Sequence, residues 1–143
     1  MATARAFTQS VQTADRWVAD LAAELATDPD EAYHVLRAVL HALRDRLPHE
    51  ESAQLAAQLP LILRGTYYEG WRPSRTPETY HGVDPFLQRV AAEAQLAGET
   101  EASFAAAGAM TMLHRHVSGG EIADVLAALP APVRALLSGT GGA

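Results

Sequence analysis

The residues best equipped for chemistry lie in one stretch, Arg64-Gly65-Thr66-Tyr67-Tyr68-Glu69-Gly70-Trp71-Arg72-Pro73-Ser74-Arg75. Tyr and Trp beside Arg is the composition of interface hot spots. A guanidinium there can stack on a ring or fork to a carboxylate such as Glu69 or Glu78. The cluster Arg64, Tyr67, Tyr68, Glu69, Trp71, Arg72 and Arg75 is therefore the candidate contact surface for a protein partner. A small anionic ligand held by Arg64, Arg72 and Arg75 is the alternative. The structural reading is a strut, in which Tyr67 and Trp71, four apart, pin the segment to the core. A fixed loop of this composition is expected to pair Arg72 or Arg75 with a nearby carboxylate.

Other reactive groups form weaker constellations. Glu31 and His34 have the spacing found in carboxylate-bridged di-iron bundles, with His41 two helical turns beyond. Such sites need a second pair, and Glu101 is followed at that spacing by Phe104. His114 and His116, two apart on a helix, point in different directions. Glu50-Glu51 reads as a pair of first-turn acids at a helix start. Ser118-Gly119-Gly120 reads as a helix break rather than a nucleophile elbow, and Gly139-Thr140-Gly141-Gly142 has no strand or helix beside it to form a phosphate cradle. No catalytic residue, metal ligand or cofactor site is assigned.

The elements that must position these residues follow from a repeat. Displaced by 70 positions, Glu31-Ala32 falls on Glu101-Ala102, Leu43 on Leu113 and Glu51 on Glu121. Ala57-Gln58-Leu59-Pro60 falls on Ala127-Ala128-Leu129-Pro130, and Arg64 on Arg134. This predicts an all-α bundle of two pseudo-symmetric four-helix repeats sharing one core, since half of a 143-residue chain would be marginal alone. The first repeat spans 10–69, an ordered connecting loop 70–83 and the second repeat 84–137, with a flexible tail over 138–143 and little pattern over 1–9.

Apolar periodicity places helices at about Ser10–Ala26, Asp28–Leu47, Glu50–Gln58 and Leu61–Tyr68. The second set lies at about Asp84–Ala97, ended by Gly98, then Ser103–Val117, Glu121–Ala128 and Pro130–Leu137. Asp28-Pro29-Asp30-Glu31 carries an N-cap, a first-turn proline and acids suited to the positive helix end. The inward face of the second helix is Ala32, Val35, Leu36, Val39, Leu40, Leu43 and Leu47, with Arg37, Arg44, Asp45 and Arg46 outward or on the flanks. Its counterpart, with Ala102, Ala105, Ala106 and Ala109 inward, is thinner and should pack closely. Trp17 and Phe86 are core anchors.

Composition sets the bounds. The absence of Cys removes disulfides, thiolate catalysis and Cys-based zinc sites. All 11 basic residues are Arg, so Schiff-base and P-loop lysine chemistry is excluded. A formal charge of −6 argues against nucleic acid as a partner. No apolar run approaches the roughly 18 residues of a membrane span, and the first residues lack the apolar core of a signal peptide. A cytoplasmic setting is expected.

Several stretches resemble one prokaryotic family: Leu36 to Leu47, Ala56-Ala57-Gln58-Leu59-Pro60, Arg64 to Trp71, Gly119-Gly120-Glu121 and Leu129-Pro130. Together they are similar to domain-of-unknown-function family 2267, over roughly Thr13 to Leu137, with Tyr-Tyr-Glu-Gly-Trp the most specific part. The resemblance implies a small helical protein and carries no catalytic residues. The expected function is a non-catalytic interaction module, binding another protein or itself as a homodimer. The alternatives are an anionic-ligand sensor on the Arg–aromatic cluster and an enzyme of unknown class.

Overall fold

A computed structural model describes residues 2–139, and every regular element among them is helical. The order is α1 (Arg5–Leu25), α2 (Pro29–Arg46), α3 (His49–Ala57), α4 (Leu61–Tyr68), α5 (Val83–Ala94), α6 (Glu99–His116), α7 (Gly119–Ala128) and α8 (Ala131–Gly139). A single 3₁₀ turn, Pro73–Arg75, lies between α4 and α5.

Local signals explain most boundaries. Asp28 Oδ1 accepts the Glu31 N–H at 2.8 Å, with Pro29 opening α2 and Asp30 and Glu31 in its first turn. Pro60 and Pro130 each stand one residue before a helix, and the preceding Leu59 and Leu129 are buried. Arg64 reaches back from α4 to the carbonyls of Ala56, Ala57 and Leu59, closing the C-terminus of α3. Arg134 does the same from α8 to Leu126, Ala127 and Leu129 at the end of α7. The carbonyls of Ala56, Ala57, Leu126 and Ala127 belong to the last turn of a helix, which has no intrahelical donors left, and those of Leu59 and Leu129 lie just beyond it.

Three boundaries depart from the pattern reading. α1 begins at Arg5, five residues early, because Ala4 carbonyl accepts from Phe7 and Thr8 and Ser10 is anchored: its Oγ accepts the Ile62 N–H at 3.1 Å. α5 ends at Ala94 because Gln95 adopts φ 57° and the chain turns back there, Leu96 N–H donating to Ala91 carbonyl. Gly98 therefore opens α6 instead of closing α5, and Glu99 and Glu101 fill the first turn of α6. The expected tail at 138–143 is helical at Ser138 and Gly139; from 140 onward it lies outside the described residues.

Two 18-residue helices, α2 and α6, form the centre and touch each other. α1 and α5 pack against both, α4 against α2 and α1, α8 against α6 and α5, and α3 against α7. The buried apolar residues form one cluster drawn from all eight helices. Every inward residue expected of α2 and α6 is buried, as are Trp17 and Phe86. The Ala-rich face of α6 does allow close approach. A Cβ built on Gly108 would stand 2.5 Å from Leu25 Cδ2 of α1. Among the described residues no helix is long and apolar enough to cross a membrane.

Candidate functional site

The structure packs the rings of Tyr67, Tyr68 and Trp71 in sequence, but most members of the Arg–aromatic cluster face inward or are engaged. Tyr67 is fully buried in α4, its hydroxyl donating to Ser52 Oγ at 3.0 Å, and burial pushes its phenol well above the usual range. Tyr68 and Trp71 are half-buried and packed against each other, ring centroids 5.6 Å apart. Trp71 Nε1 donates to Thr76 Oγ1 at 3.1 Å, and His49 meets the indole edge-on. Glu69 is exposed and accepts from Arg37 Nε at 3.0 Å. Arg64 is spent on the α3 carbonyls.

Arg72 and Arg75 are exposed and form no ion pair among the described residues, so their expected pairing is corrected. The carboxylates within reach have other cations: Glu69 faces Arg37, and Glu78 lies 3.8 Å from Arg89. The loop is instead fixed from below. Glu78 N–H donates to Asp45 carbonyl at 2.7 Å, one of the free acceptors at the end of α2. Arg46 Nε donates to Tyr80 carbonyl, and its guanidinium lies 5.4 Å from the Tyr80 ring centre. Burial, with Glu78 nearby, pushes the Tyr80 phenol up to about 12.

Beneath this loop runs a polar network whose burial the sequence reading missed. Arg44 and Asp45, expected outward or on the flanks, are buried, as is His41. Eleven of the 18 residues of α2 are buried, because α1, α4, α5 and α6 all pack against it. Arg44 forks onto Asp45 through Nε and Nη2 at 2.7 and 3.1 Å, and its Nη1 donates to the carbonyls of Tyr67 and Glu69. Arg89 of α5 donates to the same carboxylate at 2.7 Å. Desolvation alone would raise Asp45, but the hydrogen bonds and charges of Arg44 and Arg89 outweigh it and hold the carboxyl below its ordinary value.

One turn away, Glu93 Oε2 takes Arg37 Nη1 at 2.9 Å and His41 Nδ1 at 2.7 Å. His41 Nε2 faces Thr66 carbonyl at 2.7 Å, so both ring nitrogens meet acceptors. Desolvation again opposes ionisation at Glu93, and His41, Arg37 and Arg89 together lower it. The signal was present in the chain: Arg37, His41 and Arg44 recur at spacings of four and three on α2, matched by Arg89 and Glu93 four apart on α5. Each group is satisfied by another side chain or a backbone carbonyl. The network joins α2, α4 and α5.

Two further surfaces stand out. The Ser10–Ile62 hydrogen bond joins α1 to α4, where Phe7, Val11, Leu61 and Ile62 are all large, apolar and exposed, Phe7 at 58% and Leu61 at 52%. Separately, a cleft of about 830 Å³ opens between the α1–α2 and α5–α6 turns. Glu31 and Glu101 both line it, with His34 beside one and Phe104 where a second histidine would complete a di-iron set. His34 Nδ1 lies 2.7 Å from Asp30 carbonyl, and Thr27 Oγ1 hydrogen-bonds to Glu31 Oε2.

No curated protein matches the sequence. A family model described as an uncharacterized conserved protein, DUF2267, matches residues 14–136. That span runs from α1 into α8 and includes the buried network, the loop and both central helices. The chain belongs to the DUF2267 family of uncharacterized conserved proteins.

Proposed function

We propose that the chain is a non-catalytic protein-interaction module, a duplicated four-helix unit that docks a partner on the α1–α4 junction. The observation that carries this reading is the contrast between the two surfaces. The polar groups of the α2–α4–α5 network are consumed by one another, whereas Phe7, Val11, Leu61 and Ile62 leave four large apolar side chains in water at one helix junction. Exposed apolar side chains gathered at one place mark interaction sites. The occupant that fits is the apolar face of a protein, not an anion.

The duplication is supported by equivalent roles at a distance of 70 residues. Arg64 and Arg134 close α3 and α7 in the same manner, and Leu59 and Leu129 are buried alike. α1 packs on α6 as α5 does on α2. The proposed boundaries remain 10–69 and 84–137 around the loop at 70–83. The second unit places Pro130-Ala131-Pro132 where the first has Pro60-Leu61-Ile62, so the exposed apolar pair belongs to one unit only. Trp71, Arg72 and Arg75 are a subsidiary contact at most, since the rest of their cluster serves the fold.

The test is isolation of the tagged chain from its native host, wild type against Phe7→Glu with Ile62→Glu and against Arg72→Ala with Arg75→Ala. The apolar double variant is expected to lose a stoichiometric partner while the arginine double variant keeps it. Light scattering on each purified protein shows whether that partner is a second copy. Retention by the apolar variant and loss by the arginine variant would return the site to the Arg–aromatic loop.

A further inference from the structure

Glu51 lies in the first turn of α3 and Glu121 in the first turn of α7, and these two helices pack together. Each carboxylate sends an oxygen into the junction. Glu121 is only 8% exposed, and the Oε2 atoms of both residues are buried with no hydrogen-bond partner. Asp124, one turn further along α7, adds a third carboxylate. One oxygen from each of the three lies within 4.8 Å of the others.

What the cluster lacks is a counter-charge. Among the described ion pairs none involves Glu51, Glu121 or Asp124. Elsewhere this chain matches its buried acids with guanidinium: Asp45 has two arginines and Glu93 has Arg37, Arg89 and His41. Facing carboxylates without such a match repel each other and call for a cation or a proton.

The donor set favours one class of cation. Calcium binds carboxylate oxygens at about 2.3–2.6 Å, so two ligands of one ion stand no more than about 4.6–5.2 Å apart. The cluster falls within that span. Magnesium demands a near-ideal octahedron and dehydrates reluctantly, which suits the buried oxygens of this cluster less well. Zinc and the softer metals prefer the nitrogen and sulfur ligands that this cluster does not offer.

We propose that Glu51, Glu121 and Asp124 form a calcium-type divalent-cation site that clamps α3 to α7. The ion offsets the three negative charges and ties together residues 70 apart in the chain, one from each four-helix unit. Calcium has six to eight positions to fill, so water completes its shell beside the exposed Asp124. The site involves neither the α1–α4 junction nor the buried network, and its test is independent of the partner.

The full chain, stripped with chelator, is titrated with CaCl₂ by isothermal titration calorimetry, with MgCl₂ in parallel. Wild type is compared with Glu121→Gln and Asp124→Asn, circular dichroism verifying that each is folded. Asp124 is exposed, so its variant keeps the fold whatever happens at Glu121. Saturable uptake of about one calcium ion per chain is expected, with magnesium weaker. Affinity should fall ~10-fold or more in Asp124→Asn and vanish in Glu121→Gln. No uptake by wild type, or equal uptake by wild type and Asp124→Asn, overturns the proposal. So does a Glu121→Gln protein that melts higher than wild type while wild type ignores calcium, because the carboxyl pair then shares a proton.

Discussion

Replacing Arg44 with Met keeps most of the side-chain volume and removes the guanidinium that fastens the end of α4 to α2, beside the point where the loop is tied to Asp45. The structure gives the magnitude. Arg44 forms a bidentate pair with Asp45 at 2.7 and 3.1 Å and donates to the carbonyls of Tyr67 and Glu69 at 2.9 and 2.8 Å. Asp45 keeps Arg89, and the Glu69 end is open enough for water to replace its donor. Losing the charged hydrogen bond costs about 1.5–3 kcal/mol, and leaving the buried carbonyl without a donor costs about 1–3 kcal/mol. The total, about 2.5–6 kcal/mol, brackets the usual loss of about 3–5 kcal/mol on breaking a buried ion pair. Urea unfolding should show that loss, and hydrogen exchange should speed at the Glu78 amide, which is held on Asp45 carbonyl. A variant within about 0.5 kcal/mol of wild type, with Glu78 still protected, would refute the view that this network holds the loop.

Leu59→Ala and Leu129→Ala should each destabilise by about 2–5 kcal/mol in chemical denaturation, because both leucines are buried before a helix start. In chelating buffer, pH dependence should have two limbs. Burial and the neighbouring Glu51 push Glu121 up to about 8 from 4.5, so its contribution is full below the unfolded value and is lost as pH rises through the folded one. Asp45 and Glu93 are shifted down, so the stability they give is present above the ordinary carboxylate range and is lost as pH falls through their folded values. Urea midpoints across pH should therefore decline towards the alkaline side in wild type and flatten there in Glu121→Gln. Residues 10–69 and 84–137, expressed separately, should each fail to show a cooperative melt, since α1 and α5 bury their faces on helices of the other half.

The helical elements and their apolar faces were legible because periodicity, caps and prolines all act locally. Asp28-Pro29 and the two Leu-Pro pairs announce helix starts by chemistry within a few residues. The end of α5 was misplaced because Gln95 enters the left-handed region where Gly98 looked the natural stop. The site was less legible because its character depends on long-range covering. Arg44 and Asp45 read as surface charge from their own helix, and only the end of α4 and Arg89 of α5 packing over them make them interior. Tyr67 turns from a promising surface into support because α4 packs it inward onto Ser52, and Trp71 because it closes on Thr76 and His49. Glu51 reads, with Glu50, as an ordinary first-turn acid until α3 and α7 are placed together.

The most direct measurement of the proposed docking role is hydroxyl-radical footprinting of the purified chain alone and in its isolated complex, whether with another protein or with a second copy. Phe7, Val11, Leu61 and Ile62 should react in the free chain and be protected in the complex, while Phe104, exposed at the cleft, reacts equally in both. Protection at Trp71 or Phe104 with Phe7 and Ile62 unchanged would contradict the assignment of the α1–α4 junction as the docking face.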